Sequence, residues 1–291
     1  MKLWEKFSKN IFNLGVQFRL KKVRPKLIES VLSKSLGMLA PEVLNEIRTF
    51  ILNQQTSEGG FSDRGGKCDL YYTLFGFYIA EAHQVNEVME PLKMYVAQTV
   101  RTKSLSGVYR FCGAILYARL IGIDSTSEIL RTQIVADLIN TDSQHPEYSS
   151  FLGILALYYL GDYYNIQKVI NQFKLSSKLN EHSCPVVAAT AIMLGMAGNH
   201  QSGATEMLKS FYRGNGGFAA LHRAPSEDLL STAVALYALH FLDADLRLIK
   251  PDCLAFVDDL YHRGGFCATT YDSISDAEYT FYGLLALGSM S

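Results

Sequence analysis

The sequence predicts an all-helical chain closed into a ring of about six helical hairpins, with a helical extension in front. Three observations predict it: a repeat of about 40 residues, a regular alternation of amphipathic and apolar helices, and turn residues at the joints. Gly59-Gly60-Phe61 is followed by Asp69 and Thr73, Gly216-Gly217-Phe218 by Asp228 and Thr232, and Gly264-Gly265-Phe266 by Asp276 and Thr280. In each copy Asp precedes Thr by four residues, and a small residue (Gly76, Ala235 or Gly283) follows Thr by three. Copies without Gly-Gly-Phe lie between, so that apolar helices end near positions 82, 122, 161, 198, 242 and 288.

Each unit begins with an amphipathic helix that suits an outer position with one wet face: Pro41–Gln55, Glu87–Arg101, Ser127–Asn140, Tyr163–Phe173, Ala204–Tyr212 and Leu248–His262. A second helix, nearly free of charge, then spans 69–82, 108–121, 147–160, 185–198, 228–241 and 276–288. Helices this apolar are expected to be buried on most sides. The Gly-Gly pairs stop the outer helices because glycine enters the left-handed region without steric cost. Ser275-Asp-Ala-Glu278 forms a capping box, and Asp69, Asp228 and Asp276 suit the first turn or cap of their helices. Hairpins that must bury their faces on neighbours close most simply into two concentric layers.

A chain of 291 residues with 48% hydrophobic and 19% charged residues has ample material for a core, which excludes wholesale disorder. The five cysteines (68, 112, 184, 253 and 267) show no metal-finger or C-x-x-C spacing and read as reduced thiols of a cytoplasmic protein. Met1–Lys9 lacks the apolar run of a secretory signal, and stretches such as 151–161 are too short for the ~20 residues that span a bilayer. Residues 1–26 hold eight basic residues against Glu5, locally +7 in a chain of net charge −1. Leu3, Phe7, Ile11, Leu14 and Phe18 recur there at helical spacing. Residues 1–40 are therefore read as a basic amphipathic helical segment, suited either to peripheral contact with an anionic membrane or to packing on the ring. Nothing else in the sequence supports a nucleic-acid role.

Ile47-Arg-Thr-Phe-Ile-Leu-Asn-Gln-Gln55, followed by Gly59-Gly60-Phe61 and Asp69-x-x-x-Thr73, resembles the repeat of protein prenyltransferase β subunits and terpenoid cyclases. The resemblance covers roughly residues 41–289 and implies an α/α toroid over 41–291. It also implies isoprenoid diphosphate chemistry in a central cavity, and a helical partner subunit. Prenyltransferases of this kind hold zinc with an Asp-x-Cys-Tyr pair and a later His before the Thr. Here Asp69 and Tyr72 match, Tyr71 replaces the cysteine, and Ser231 or Tyr279 occupies the His position. No zinc site is expected from such a set, and Mg²⁺ remains a candidate helper. Arg64 and Lys67, one residue short of the family's spacing, become the diphosphate grip, and Asp69 the candidate catalytic residue. The Asp-x-Asp-Asp acid of the cyclases has no counterpart; Asp243-Ala-Asp245 sits at a turn.

The inner helices carry many aromatic residues, and Tyr71, Tyr72, Tyr109, Tyr148 and Tyr279 are taken as candidate ligand contacts, with Arg110 beside Tyr109 as a further basic one. Aromatic walls suit isoprenoid chains by burial and by the charge distribution of their faces. His222 and Arg223 also fall near inner-helix starts. Cys68, Cys112, Cys184 and Cys267, with His182 nearby, read as small buried hydrophobes rather than as a metal set. Two functions follow: an isoprenoid-binding, prenyltransferase-like protein that is a transferase if active, or a non-catalytic ring serving as a lipid- or protein-binding scaffold.

Overall fold

A computed structural model describes residues 23–140, 148–171, 182–196 and 203–291, leaving aside the side chains of 140 and 148. The expected helix over 3–18, the helix ends at Phe173 and Gly198, and the side chain of Tyr148 lie outside the described residues. Thirteen α-helices are described: α1 (Ile28–Met38), α2 (Pro41–Gln54), α3 (Leu70–Ala82), α4 (Met89–Thr102), α5 (Gly107–Leu120), α6 (Ser125–Asn140), α7 (Tyr148–Tyr159), α8 (Tyr163–Ile170), α9 (Cys184–Met196), α10 (Ala204–Lys209), α11 (Leu229–Phe241), α12 (Lys250–Asp259) and α13 (Ala277–Ser289). The only strand pair among the described residues is the short antiparallel one of Tyr261–His262 with Gly265–Phe266.

The inner helices are α3, α5, α7, α9, α11 and α13. Each packs on the next, and α13 returns to α3, so the inner layer closes. The alternation read from the sequence has its physical cause here. Helix α4 buries Leu92, Tyr95, Val96, Thr99 and Val100, one stripe at helical spacing, whereas α11 buries all but two of its residues. Helix α10 stops at Lys209, short of the expected Tyr212, because Tyr212 pairs its backbone with Phe218 instead.

The recurring motif is a lock between the turn and the inner helix. Thr73 Oγ1 accepts from the Phe61 N–H (2.9 Å) and donates to the Asp69 carbonyl (2.6 Å). Thr232 does the same with Phe218 and Asp228, and Thr280 with Phe266 and Asp276. The phenylalanine then folds onto the small residue one turn later. A Cβ on Gly283 would lie 2.4 Å from the Phe266 ring. The first glycine of each pair meets the backbone of an outer helix, and at Gly264 (φ +88°) that backbone is Glu46 of α2, the first outer helix. The last turn thereby closes the outer layer as well.

Helix α1 lies over one mouth of this ring, packed on α13 and α3. Val31, Leu32 and Ser35 are fully buried there.

Candidate functional site

Asp69, Asp228 and Asp276 cap their inner helices, so the N-terminal ends of these helices gather at the mouth opposite α1. Asp69 Oδ1 accepts from the N–H groups of Tyr71 (2.8 Å) and Tyr72 (3.1 Å), which fixes both tyrosines at the start of α3. Arg64 reaches from the preceding turn to the last repeat. Its Nε donates to Asp276 (2.5 Å) and its Nη2 to Asp272 (2.8 Å), with the guanidinium 5.1 Å from the Tyr279 ring centre. Burial works against the Arg64 charge, but the two carboxylates hold its pKa above the ordinary value.

Tyr71 Oη donates to Glu278 (2.6 Å). Glu278 is buried, and burial together with the charges of Asp276 and Asp69 pushes its carboxyl up to about 7, against the pull of Tyr71 and Arg64. Tyr72 and Tyr279 are half-buried and pushed up to about 12, first by burial and then by the surrounding carboxylates. Asp276 is also raised by burial, despite Arg64.

The mouth therefore brings together five of the residues singled out in the sequence: Arg64, Asp69, Tyr71, Tyr72 and Tyr279. Lys67 is exposed on the loop beside them, its N–H bonded to Asp63. Tyr109 is 44% exposed at the start of α5, with its hydroxyl raised first by the Asp69 charge. Arg110 is engaged elsewhere, with the Leu105 carbonyl (3.0 and 2.6 Å) and Asp137 of outer helix α6. Asp272 went unrecognised in the sequence. Glu278 was expected to close a capping box with Ser275, but the cap is Asp276, which accepts from the Tyr279 N–H (2.8 Å), and the Glu278 carboxylate faces Tyr71 instead. That contact was legible in principle, because Glu278 holds the same place in its repeat as Tyr71, two residues after the capping Asp.

Zinc does not fit the positions that the resemblance assigns. Asp69 Oδ1 is taken by two backbone N–H groups, Tyr71 in the cysteine position is taken by Glu278, and the histidine position offers only the hydroxyl of Ser231 or Tyr279. Among the described residues no group of three His, Cys, Asp or Glu side chains is placed to hold a metal ion. Cys112 and Cys184 are fully buried and burial raises their pKa, which keeps them as thiols.

Behind the mouth, the ring axis is apolar. Leu74, Phe75 and Tyr78 of α3, Phe151, Leu152 and Leu155 of α7, Ala189 and Ile192 of α9, Val234 and Tyr237 of α11, and Phe281, Tyr282 and Leu285 of α13 line it. They enclose a cavity of about 30 Å³, room for one water. Ile28 closes its far end. Beyond Ile28, Glu29 accepts from Arg119 Nη1 (2.7 Å) and from the Tyr159 hydroxyl, and Arg119 also holds Glu81. Among the described residues no helix is long and apolar enough to cross a membrane.

The family model of the prenyltransferase alpha-alpha toroid domain matches residues 34–100 and 148–290. No curated protein and no solved structure matches the chain.

Proposed function

The chain belongs to the prenyltransferase alpha-alpha toroid family, and we propose that its ring holds an isoprenoid-type chain along the axis, with the head group at the mouth where the inner helices begin. The axis lining carries the reading. Phe75, Tyr78, Phe281 and Tyr282 supply aromatic faces from α3 and α13, while Ala189, Ile192 and Val234 supply small or aliphatic walls from α9 and α11. An apolar chain gains ~0.8 kcal/mol per methylene buried, and to enter an axis with about 30 Å³ of free space it must displace lining side chains.

At the mouth, Asp69 serves by positioning Tyr71 and Tyr72, and Arg64 and Lys67 receive the head group. A diphosphate must take Arg64 from Asp272 and Asp276, whereas a neutral isoprenoid alcohol leaves that ion pair in place. Any transfer would draw on these basic donors, with Mg²⁺ as the helper for a departing diphosphate.

Calorimetric titration with farnesyl diphosphate, geranylgeranyl diphosphate and farnesol, with and without Mg²⁺, tests the reading. Saturable binding at micromolar affinity, about −8 kcal/mol, is expected for at least one of them. Val234→Phe, which fills the axis, should weaken it at least roughly tenfold. The second reading, a non-catalytic scaffold, draws on the filled axis and the paired Arg64. Absence of binding to all three ligands under every metal condition would overturn the first reading and favour this one.

A further inference from the structure

We propose that residues 24–30 form a releasable cap over the axis, hinged on the anchored remainder of α1 and latched by Glu29. The anchor and the cap are held by different chemistry. Helix α1 packs on α13 and α3, with Val31, Leu32 and Leu36 buried, and the Val31 carbonyl lies so close to Gly288 that a Cβ there would sit 2.0 Å from it. Apart from the buried Ile28, the reach across the rest of the mouth is held by polar contacts. Glu29 takes hydrogen bonds from Arg119 of α5 and Tyr159 of α7. Tyr237 of α11 donates to the Lys26 carbonyl (2.9 Å), and Lys26 Nζ donates to the Phe241 carbonyl (2.9 Å) and pairs with Asp243 (2.6 Å).

Only Ile28 from this stretch enters the axial lining, so lifting residues 24–30 uncovers the axis while the anchor stays. The latch is also costly. Glu29 and Glu81 share one guanidinium, and Glu29 Oε2 is buried with no partner. A stopper meant only to fill the mouth needs no carboxylate with one oxygen buried and unpartnered, because leaving such a group unsatisfied costs stability. An ion pair of this kind instead supplies a contact that opens as a unit once its partner is lost. The cap is independent of the ligand reading, because its opening can be measured with no ligand present.

The measurement is peptide-resolved alkylation of the full-length Ile28→Cys protein by N-ethylmaleimide under native conditions. Cys112 and Cys184, both fully buried in inner helices, serve as internal clocks for opening of the ring itself. The introduced thiol is expected to react at least roughly tenfold faster than either clock. Adding Glu29→Gln should speed it about tenfold again, equivalent to ~1.4 kcal/mol, with both clocks unchanged. An introduced thiol that keeps pace with Cys112 and Cys184 would make the cap a fixed part of the ring and overturn the proposal. So would a Glu29→Gln substitution that leaves its rate unchanged or moves all three thiols together.

Discussion

The repeats that keep the Gly-Gly-Phe motif and those that have lost it build the same ring by different means. At the fourth residue of an inner helix, the motif-bearing copies place Thr73, Thr232 and Thr280, each bridging a phenylalanine N–H and an aspartate carbonyl. Helix α5 places Arg110 there, which reaches back to the Leu105 carbonyl, and α9 places the buried Val187. One turn later, Gly283 accommodates the rigid ring of Phe266, whereas Gly113 of α5 meets the flexible end of Leu105. The motif is thus a device for stopping an outer helix and pinning a loop on an inner one. The ring needs the pin, and it tolerates more than one way of making it.

The sharpest way to break this comparison is to add one methyl group. At Gly283 a Cβ would lie 2.4–2.6 Å from three ring atoms of Phe266, and Gly283→Ala should cost about 1–3 kcal/mol in urea denaturation. At Gly113 the nearest atom is the Leu105 Cδ1 at 2.9 Å, which can move. Gly113→Ala should come out near neutral, since the ~1 kcal/mol gain in helix propensity offsets the crowding. Equal costs at the two sites would mean that the copies are not pinned differently.

The next effect is no larger. Thr280→Val leaves the buried Phe266 N–H without an acceptor and should cost about 2 kcal/mol. Arg110→Met removes the bridge to the Leu105 carbonyl and the pair with Asp137, and should cost about 1 kcal/mol. Thermal melts of the two variants decide whether the ranking holds.

The copies also differ two residues after the capping aspartate, where Tyr71, Leu230 and Glu278 stand. Glu278 has a pKa near 7 in the folded chain against an ordinary value of 4.5. A raised folded pKa means that the neutral form folds better, so this contribution is full below about pH 4.5 and lost as pH rises through 7. Glu278→Gln should therefore gain on the unsubstituted protein between pH 5 and 8, by on the order of 1–2 kcal/mol. Two denaturation curves at each pH measure the gain; a constant difference would show that Glu278 titrates normally.

Much of this architecture can be read along the chain. The three Asp–Thr spacings, the helix periods and the glycine pairs are local features, set by hydrogen bonds and sterics between residues less than about 15 positions apart, and they determined the ring, its helices and the caps at Asp69, Asp228 and Asp276. The mouth was legible only in part. Tyr71 and Tyr72 follow from their cap, but the Arg64 contacts with Asp272 and Asp276 join residues more than 200 positions apart. No local pattern signals such a pairing, because it exists only once the last repeat has closed on the first. The same holds for the contents of the axis. Aromatic residues on inner helices suggested a lined central cavity, yet whether they line a space or fill it depends on ring radius and rotamer packing, and here they leave about 30 Å³. The sequence by itself determined a ring of paired helices, because helix period and turn chemistry act locally. Only the tertiary structure decided that Arg64 is paired, that Glu278 is buried and that residues 24–38 close one mouth, because each of these depends on distant segments excluding water from the same place.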